Sequence, residues 1–324
     1  MDRSSVITLL GQDWERVKEL LRSTLSSDVP LLDEINTSLQ DNAGKMLRPM
    51  LTLLFARICN GGNSTEESIR TAAAVEVLHN ATLLHDDVAD EAMTRRGTPT
   101  VMSRMGAVPA VLVGDFWLAS AVLLLKDSSD SQWTMQQFSV TLIDLAEGEM
   151  LQQQKAFQSD TTVEDYLRII YCKTGSLFVT ACEAGAKSVQ ASDELLETAG
   201  RYGKALGLAF QIRDDILDYA GTETTGKPVG IDLLEQKITL PLLGALSAVP
   251  DEAEWRKMVH DIPSHPEYCS RIHDFVLENG GVEYASEKLN AYVAEAQKAL
   301  EVFPDCPEKK VLAYIAQHNA IRTK

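Results

Sequence analysis

The segment SIRTAAAVEVLHNATLLHDDVAD, residues 68–90, places apolar side chains three and four positions apart and then ends in an acidic run. This spacing predicts one long helix over Ser68–Leu84. Patterns of the same kind predict three further long helices, over Trp133–Ala156, Ser192–Tyr219 and Val282–Leu300. Because we find no long period-two alternation of the kind that strands show, the sequence predicts an all-α bundle of long helices.

The charge and the cysteine pattern of the chain argue against several classes of protein. The chain has 324 residues and a formal net charge of -17, since 47 Asp and Glu outnumber 30 Lys and Arg. Such an acid excess disfavours a surface built for nucleic acid or for an anionic membrane. The five cysteines include no C-x-x-C pair, which argues against a disulfide framework or a zinc site. The first residues also lack the apolar core of a secretory signal, so we expect a cytoplasmic protein.

The run Ala107–Leu125 is almost wholly apolar and long enough to be tested as a membrane span. It contains Pro109 and, near its middle, Asp115. A charge at that depth would cost about 2.5–3.5 kcal/mol in a bilayer. A helix buried in a bundle or at a subunit interface explains the run better, and we expect no stable membrane span.

An acidic motif occurs twice, as Asp86-Asp87-Val88-Ala89-Asp90 and as Asp214-Asp215-Ile216-Leu217-Asp218. In D-D-x-x-D on a helix, the first and last Asp lie on one face about one turn apart. Carboxylates crowded in this way repel one another unless a cation neutralises them, and their hard oxygens select Mg²⁺, Mn²⁺ or Ca²⁺ over zinc or copper. A solvated acidic helix end is the alternative, but both copies follow strongly apolar sequence.

Two similar acidic helix faces are expected to meet across one shared cavity. We therefore expect a single domain over residues 1–324. An EF-hand calcium loop is a poor alternative, because that loop needs a Gly at its sixth position and a Glu at its twelfth, and the first motif has neither.

Cationic residues flank the first motif. Arg95 and Arg96 follow it, and Lys45 and Arg48 lie upstream, three positions apart. As isolated pairs these would be ordinary surface charges. Beside a metal-binding acidic face they indicate an anion held partly by the metal and partly by fixed cations.

His79 precedes Asp86 by seven residues, about two helical turns, so it is expected to point into the same cavity. A satisfied core histidine is the alternative. Glu76 and His79 also form an E-x-x-H pair, but a di-iron bundle requires two such pairs. No other His in this sequence has Glu three positions before it.

Taken in order, these residues resemble the trans-isoprenyl diphosphate synthases, also called the polyprenyl synthetase family. The likeness runs from about Gly44 to Pro241. Besides His79 and the two acidic motifs, it rests on Gly44-Lys45-Met46-Leu47-Arg48-Pro49, Arg95-Arg96-Gly97, Gly114-Asp115, Gly148-Glu149, Lys173-Thr174-Gly175, Gln211, Gly226-Lys227, Asp232 and Lys237-Ile238-Thr239-Leu240-Pro241.

This resemblance implies an isoprenoid-synthase fold, a bundle of long helices around a central cavity, and a homodimer. It implies a head-to-tail prenyltransferase that condenses isopentenyl diphosphate with an allylic diphosphate, farnesyl or geranylgeranyl diphosphate, into a long-chain all-trans polyprenyl diphosphate. Its partners are these small diphosphates, with peripheral membrane contact for product release. The cofactor is Mg²⁺, three ions per site, with Mn²⁺ as a substitute.

The resemblance also implies roles for individual residues. The metal ions are held by Asp86, Asp90 and Asp214, helped by Asp87, Asp215 and Asp218. The allylic diphosphate is held by Arg95, Lys173, Thr174, Gln211, Lys227 and Lys237, and isopentenyl diphosphate by Lys45, Arg48, His79 and Arg96. The residues that carry catalysis are Asp86, Asp90, Arg95, Lys173, Asp214 and Lys227.

Three alternatives remain beside this reading. A synthase with a geranylgeranyl-length product differs only in where chain growth stops. A weakly active partner subunit of a heteromeric synthase is opposed by two intact acidic motifs. A terpene cyclase on the same fold has no use for an isopentenyl site, so the presence of Lys45, Arg48 and Arg96 opposes it.

The product length is predicted from Ala81 and Thr82, about one turn before Asp86. In short-chain members of the family an aromatic residue in this turn blocks growth, whereas both residues here are small. We therefore expect a product longer than geranylgeranyl, unless a bulky residue deeper in the cavity sets the limit.

Ala81→Phe is expected to shorten the main product, because the ring would close the cavity beneath the growing chain. The check is to size the products made from radiolabelled isopentenyl diphosphate by the variant and by the wild type. An unchanged product length would contradict the steric argument.

Overall fold

The computed structural model of the chain describes residues 2–42, 44–95, 97–220 and 230–321. The protein is all-α, as predicted, apart from one two-residue antiparallel ribbon in which β1 (Thr94–Arg95) pairs with β2 (Thr98–Pro99). The helices in chain order are α1 (Arg3–Leu10), α2 (Gln12–Thr24), α3 (Pro30–Asp41), α4 (Leu47–Cys59), α5 (Glu66–Ala89), α6 (Val101–Met105), α7 (Ala107–Leu125), α8 (Ser131–Gln158), α9 (Val163–Ile170), α10 (Ser176–Lys187), α11 (Asp193–Ala220), α12 (Ile231–Leu234), α13 (Leu240–Ser247), α14 (Glu252–His260), α15 (Tyr268–Glu278), α16 (Gly281–Ala299) and α17 (Pro307–Ile321).

The four long helices predicted from the spacing of apolar residues are confirmed as α5, α8, α11 and α16. Helix α5 starts at a capping box. The Thr65 hydroxyl accepts a hydrogen bond from the Ser68 N–H, and the Ser68 hydroxyl accepts one from the Thr65 N–H, each at 3.1 Å. These two bonds satisfy backbone donors that a helix start would otherwise leave open. They explain why the helix begins just after the polar run that ends at Ser64.

The chain folds into two compact units. The first comprises Met1–Ser139, Thr180–Ala199 and Asp305–Val311. Its central helix is α5, which packs against α2, α4 and α7. A buried polar pair secures α7 to the start of the chain, since Trp117 Nε1 donates to Asn36 Oδ1 at 2.8 Å and Asn36 Nδ2 donates to the Leu25 carbonyl at 2.6 Å. The first acidic motif belongs to this unit.

The second unit comprises Val140–Val179, Gly200–Pro304 and Leu312–Lys324. Its core is formed by α11, α13, α15 and α16, with Leu242, Val276 and Ala285 fully buried. Helices α13 and α16 approach closely at Gly281. A Cβ at this position would lie 2.2 Å from the Pro241 carbonyl oxygen. The second acidic motif belongs to this unit. A single domain over residues 1–324 stays a prediction.

Helix α7 is the apolar run Ala107–Leu125. Among the described residues it is the one helix that is long and apolar enough to cross a membrane, which by itself is weak evidence. Its buried side includes Val113, Trp117 and Leu124 and packs against α5. Such packing is the behaviour of a helix in a globular bundle.

Arg57 on α4 is the main buried cation of the first unit. Its Nη1 lies 3.3 Å from Asp13 Oδ2, and its Nε donates to Glu308 Oε1 at 3.2 Å. The Glu308 side chain is only 4% exposed. Arg57 therefore neutralises two acids that come from distant parts of the chain.

Arg57→Met is expected to lower the free energy of unfolding by about 3 kcal/mol, because it leaves Glu308 charged and buried without its cation. Chemical denaturation monitored by circular dichroism measures the change. Arg16→Met is the matched control, since Arg16 pairs with Glu66 at an exposed position, and it should stay close to the wild type. Equal loss in both variants would contradict the prediction.

Candidate metal and anion site

The first acidic motif lies at the C-terminal end of α5. Asp86 and Asp87 are in its last turn, and the Asp90 N–H caps the helix by donating to the Asp86 carbonyl at 2.8 Å. A helix C-terminus carries partial negative charge. A carboxylate placed there therefore destabilises the helix by about 0.3–1 kcal/mol, whereas a cation would stabilise it. The motif is therefore locally unfavourable until positive charge arrives.

Asp87 already has such a partner. Arg95 Nε donates to Asp87 Oδ1 at 2.8 Å, and the Asp87 side chain is only 7% exposed. Arg95 lies in β1, eight residues after Asp87. Asp86 is half-buried and Asp90 is exposed. Arg96, predicted to bind isopentenyl diphosphate, lies outside the described residues.

A cavity of about 370 Å³ lies beside Asp87 and Arg95. Its α5 wall is formed by Asn80, Leu83, Leu84 and Asp87, and residues of α3, the β1–β2 ribbon and α6 contribute most of the rest. Ala81 and Thr82 do not line it. Ala81 is buried and the Thr82 hydroxyl donates to the His79 carbonyl at 2.8 Å, so their role in limiting chain length stays a prediction.

Arg48 and His79 come together in the first unit. Arg48 Nη1 lies 3.0 Å from His79 Nε2, which joins the start of α4 to the middle of α5. Because a guanidinium can only donate, His79 Nε2 is the acceptor, and the imidazole is neutral with its proton on Nδ1. Lys45, three residues before Arg48, is exposed.

The second acidic motif lies near the C-terminal end of α11. Asp214 is half-buried and lies 2.7 Å from Arg213 Nη2. Asp218 accepts backbone hydrogen bonds from Ile231 at 3.2 Å and Asp232 at 3.1 Å, and so caps the start of α12.

Asp215 is the buried member of the second motif. Its Oδ2 accepts a hydrogen bond from the Tyr166 hydroxyl at 2.6 Å, and its Oδ1 accepts one from Gln211 Nε2 at 2.9 Å. Burial and the nearby charge of Asp232 nevertheless raise the pKa of Asp215 well above its usual range. Burial and the charge of Asp218 raise the pKa of Asp232 to about 6. Burial and mutual repulsion thus disfavour the ionised forms of these acids, and a bound cation would favour them.

Lys173 and Thr174 lie in a π-helical turn, Tyr171–Gly175, between α9 and α10. Such turns interrupt the regular α-helical ladder and are frequent at functional sites. Lys173 Nζ lies 2.5 Å from Glu149 Oε2 and 3.1 Å from Gln152 Oε1. Thr174 Oγ1 donates to Gln211 Oε1 at 2.9 Å.

Two glycines allow the neighbouring helices to approach this turn. A Cβ on Gly148 of α8 would lie 2.6 Å from Cys172 Cβ, and a Cβ on Gly207 of α11 would lie 2.7 Å from Gly175 Cα. Contacts this short cannot be accommodated without backbone movement. Helices α8 and α11 therefore both pack directly against the turn.

The remaining predicted anion-binding residues follow α11. Lys237 forms an ion pair with Glu235, and its N–H donates to the Asp232 carbonyl at 2.8 Å. Lys227, predicted for catalysis and for the allylic diphosphate, lies outside the described residues.

The donor set is compatible with Mg²⁺ rather than zinc. Within the described residues no group of three or more His, Cys, Asp or Glu side chains is arranged to hold a metal ion alone. Mg²⁺ fits such a site, because it keeps several waters and binds through one or two carboxylates together with substrate phosphates. Each acidic motif offers carboxylate oxygens, which are donors of the kind that Mg²⁺ prefers.

Sequence reasoning did not identify Tyr166, Gln152 or Arg213 as part of the site. No motif marks them. Tyr166 could have been found from its place in the apolar face of α9. A tyrosine there is expected to be buried, and a buried phenol requires a hydrogen-bond partner.

Comparisons with known proteins agree on one family. The profile of the polyprenyl synthetase family matches residues 29–275. The chain is 35% identical over 318 residues to the all-trans-nonaprenyl-diphosphate synthase (geranyl-diphosphate specific) of Rhodobacter capsulatus, with 97% of this chain and 96% of that protein covered. It is 34% identical over 324 residues to the octaprenyl diphosphate synthase of Escherichia coli (strain K12), with 99% of each covered.

Solved structures give the same result. A decaprenyl diphosphate synthase from Rhodobacter capsulatus superposes with a TM-score of 0.91 at 34% identity, with 100% of both chains covered. A polyprenyl synthase from Caulobacter crescentus CB15, complexed with calcium and isoprenyl diphosphate, superposes with a TM-score of 0.90 at 33% identity, covering 100% of this chain and 98% of that one.

Proposed function

This chain belongs to the polyprenyl synthetase family and is a head-to-tail prenyltransferase that makes long-chain products, and we propose that it extends farnesyl or geranylgeranyl diphosphate with isopentenyl diphosphate. The product is a long-chain all-trans polyprenyl diphosphate. The observation that carries the proposal is the pair of D-D-x-x-D motifs, each at the C-terminal end of a long helix.

We assign metal binding to the more exposed carboxylates. Asp86, Asp90 and Asp214 would hold Mg²⁺, three ions per site. Asp87 and Asp215 are buried against Arg95 and Tyr166, so together with Asp218 they support the ligands. Bound Mg²⁺ supplies positive charge at the diphosphate oxygens.

The cationic side chains act on the same leaving group. Breaking the allylic C–O bond produces a carbocation and an inorganic diphosphate, so catalysis needs fixed positive charge where negative charge grows. Arg95 and Lys173 supply it, each held in place by a neighbouring acid. The diphosphate is also bound by Thr174, Gln211, Lys227 and Lys237.

Isopentenyl diphosphate is held by Lys45, Arg48, His79 and Arg96. The neutral His79 accepts a hydrogen bond from Arg48 and so orients that guanidinium, whose remaining N–H groups form a fork suited to phosphate oxygens. The isopentenyl double bond then attacks the carbocation. Loss of a proton to the departing diphosphate restores an allylic diphosphate one unit longer, so no protein nucleophile is required.

We also propose that the enzyme is cytoplasmic, because all five cysteines are free thiols, as in a reducing compartment.

The activity test is to incubate the wild-type protein with Mg²⁺, radiolabelled isopentenyl diphosphate and geranyl, farnesyl or geranylgeranyl diphosphate in turn. Long prenyl products are expected. Asp86→Asn should reduce the rate by about 10²–10³, because it removes charge that holds the metal, whereas Asp127→Asn, an exposed acid outside both motifs, should not. Cyclic hydrocarbons would indicate a terpene cyclase, and no product from any starter would indicate a partner subunit.

We propose a homodimer that buries the exposed side of α7. Apolar side chains recur along that side, with Val108 71% and Leu123 62% exposed, and Val111, Leu112 and Val122 lie on it as well. Monomeric proteins rarely leave such a patch open. Asp115 lies on the same side and is exposed, which favours a protein partner over lipid because a charge facing lipid is costly.

Leu112→Glu is expected to convert the dimer to monomers, because it buries an unpaired charge in the interface. Sedimentation equilibrium measures the mass. Lys298→Glu, an acidic change at an exposed position of α16, should leave the dimer intact. A dimeric Leu112→Glu protein, or a wild type that binds vesicles and is monomeric in solution, would contradict the assignment.

A further inference from the structure

Four side chains of the second unit form a continuous polar network, which we call the Tyr166 network: Tyr166, Asp215, Gln211 and Thr174. The Tyr166 hydroxyl lies 2.6 Å from Asp215 Oδ2, Gln211 Nε2 lies 2.9 Å from Asp215 Oδ1, and Thr174 Oγ1 lies 2.9 Å from Gln211 Oε1. Tyr166 is 3% and Asp215 4% exposed. The network joins α9, the Tyr171–Gly175 turn and α11.

Every hydrogen bond of the network is donated in the direction of Asp215. Gln211 Nε2 donates to Asp215 Oδ1, so the amide NH₂ of Gln211 faces Asp215. Gln211 Oε1 therefore faces Thr174, and the Thr174 hydroxyl donates its single hydrogen to it. One hydrogen of the Gln211 NH₂ group remains for another acceptor. The orientation of Gln211 and Thr174, both assigned to the allylic diphosphate, thus depends on Asp215.

Tyr166 holds Asp215 from the other side. It comes from α9, whose start is secured by a capping box in which Thr162 and Asp165 exchange hydrogen bonds of 3.0 and 3.1 Å. A buried phenol with two rotatable bonds offers its donor from one position only. Among the described residues, loss of this hydroxyl would leave Asp215 with Gln211 as its side-chain donor.

We propose that Tyr166 is a positioning residue of the prenyl transfer site. It holds Asp215, and through Asp215 it aligns Gln211 and Thr174 and sets the rotation of α11 that presents Asp214. Partners of this kind orient the groups that touch metal and substrate. The inference rests on the proposed function.

A purely structural role would give a different result. Tyr202, on the same helix as Asp215, is also a fully buried tyrosine, and its hydroxyl donates to the Leu312 carbonyl at 2.8 Å. Its removal also breaks a buried hydrogen bond, and the acceptor of that bond, the Leu312 carbonyl, lies outside the Tyr166 network. Tyr202→Phe is therefore a matched control for Tyr166→Phe.

The experiment measures binding and turnover in the full-length wild type, Tyr166→Phe and Tyr202→Phe. Calorimetry with Mg²⁺ and inorganic pyrophosphate reports the site without catalysis. Tyr166→Phe should bind pyrophosphate about tenfold more weakly and lose about tenfold in kcat, with KM for isopentenyl diphosphate unchanged. Tyr202→Phe should lower the unfolding temperature and leave these constants at wild-type values.

A double-mutant cycle tests whether Tyr166 acts through Asp215. If Tyr166 acts through Asp215, then Tyr166→Phe should have little further effect on pyrophosphate binding in the Asp215→Asn background. Additive effects, or equal behaviour of Tyr166→Phe and Tyr202→Phe, would overturn the inference. A wild type that binds Mg²⁺ and pyrophosphate but forms no prenyl product would instead contradict the proposed function.

Discussion

The structure depends on the crowding of carboxylates at the C-terminal ends of two helices. Helix α5 ends in one D-D-x-x-D motif and α11 in the other, where the helix dipoles already carry partial negative charge. Nothing in regular helix packing compensates this charge. In each motif one carboxylate is buried against a protein donor, Asp87 against Arg95 and Asp215 against Tyr166.

The two motifs place their second aspartate in the same way. In each, the second aspartate is turned away from the face shared by the first and last, because successive residues on a helix point about 100° apart. That second aspartate, Asp87 or Asp215, is buried and held by protein donors. Asp86, Asp90 and Asp214 remain more exposed, and their oxygens suit Mg²⁺ shared with a diphosphate.

Acids also organise the cations of the site. Arg95 is held by Asp87 and Lys173 by Glu149. The formal charge of -17 therefore describes the protein as a whole and says little about the local field near these side chains. A cation that is held in place by an acid creates a local field that the net charge of the protein does not reveal.

The sequence by itself determined the all-α class, the four long helices, the two motifs and the residue types around them. These features follow from local periodicity and from side-chain chemistry, which the order of residues states directly. Only the tertiary structure decided that Asp87 pairs with Arg95, that Arg48 meets His79, and that Tyr166 holds Asp215. These residues are separated along the chain, and their contacts depend on helix rotation and on close approaches such as Gly207 against Gly175, which packing sets and a single sequence does not encode locally.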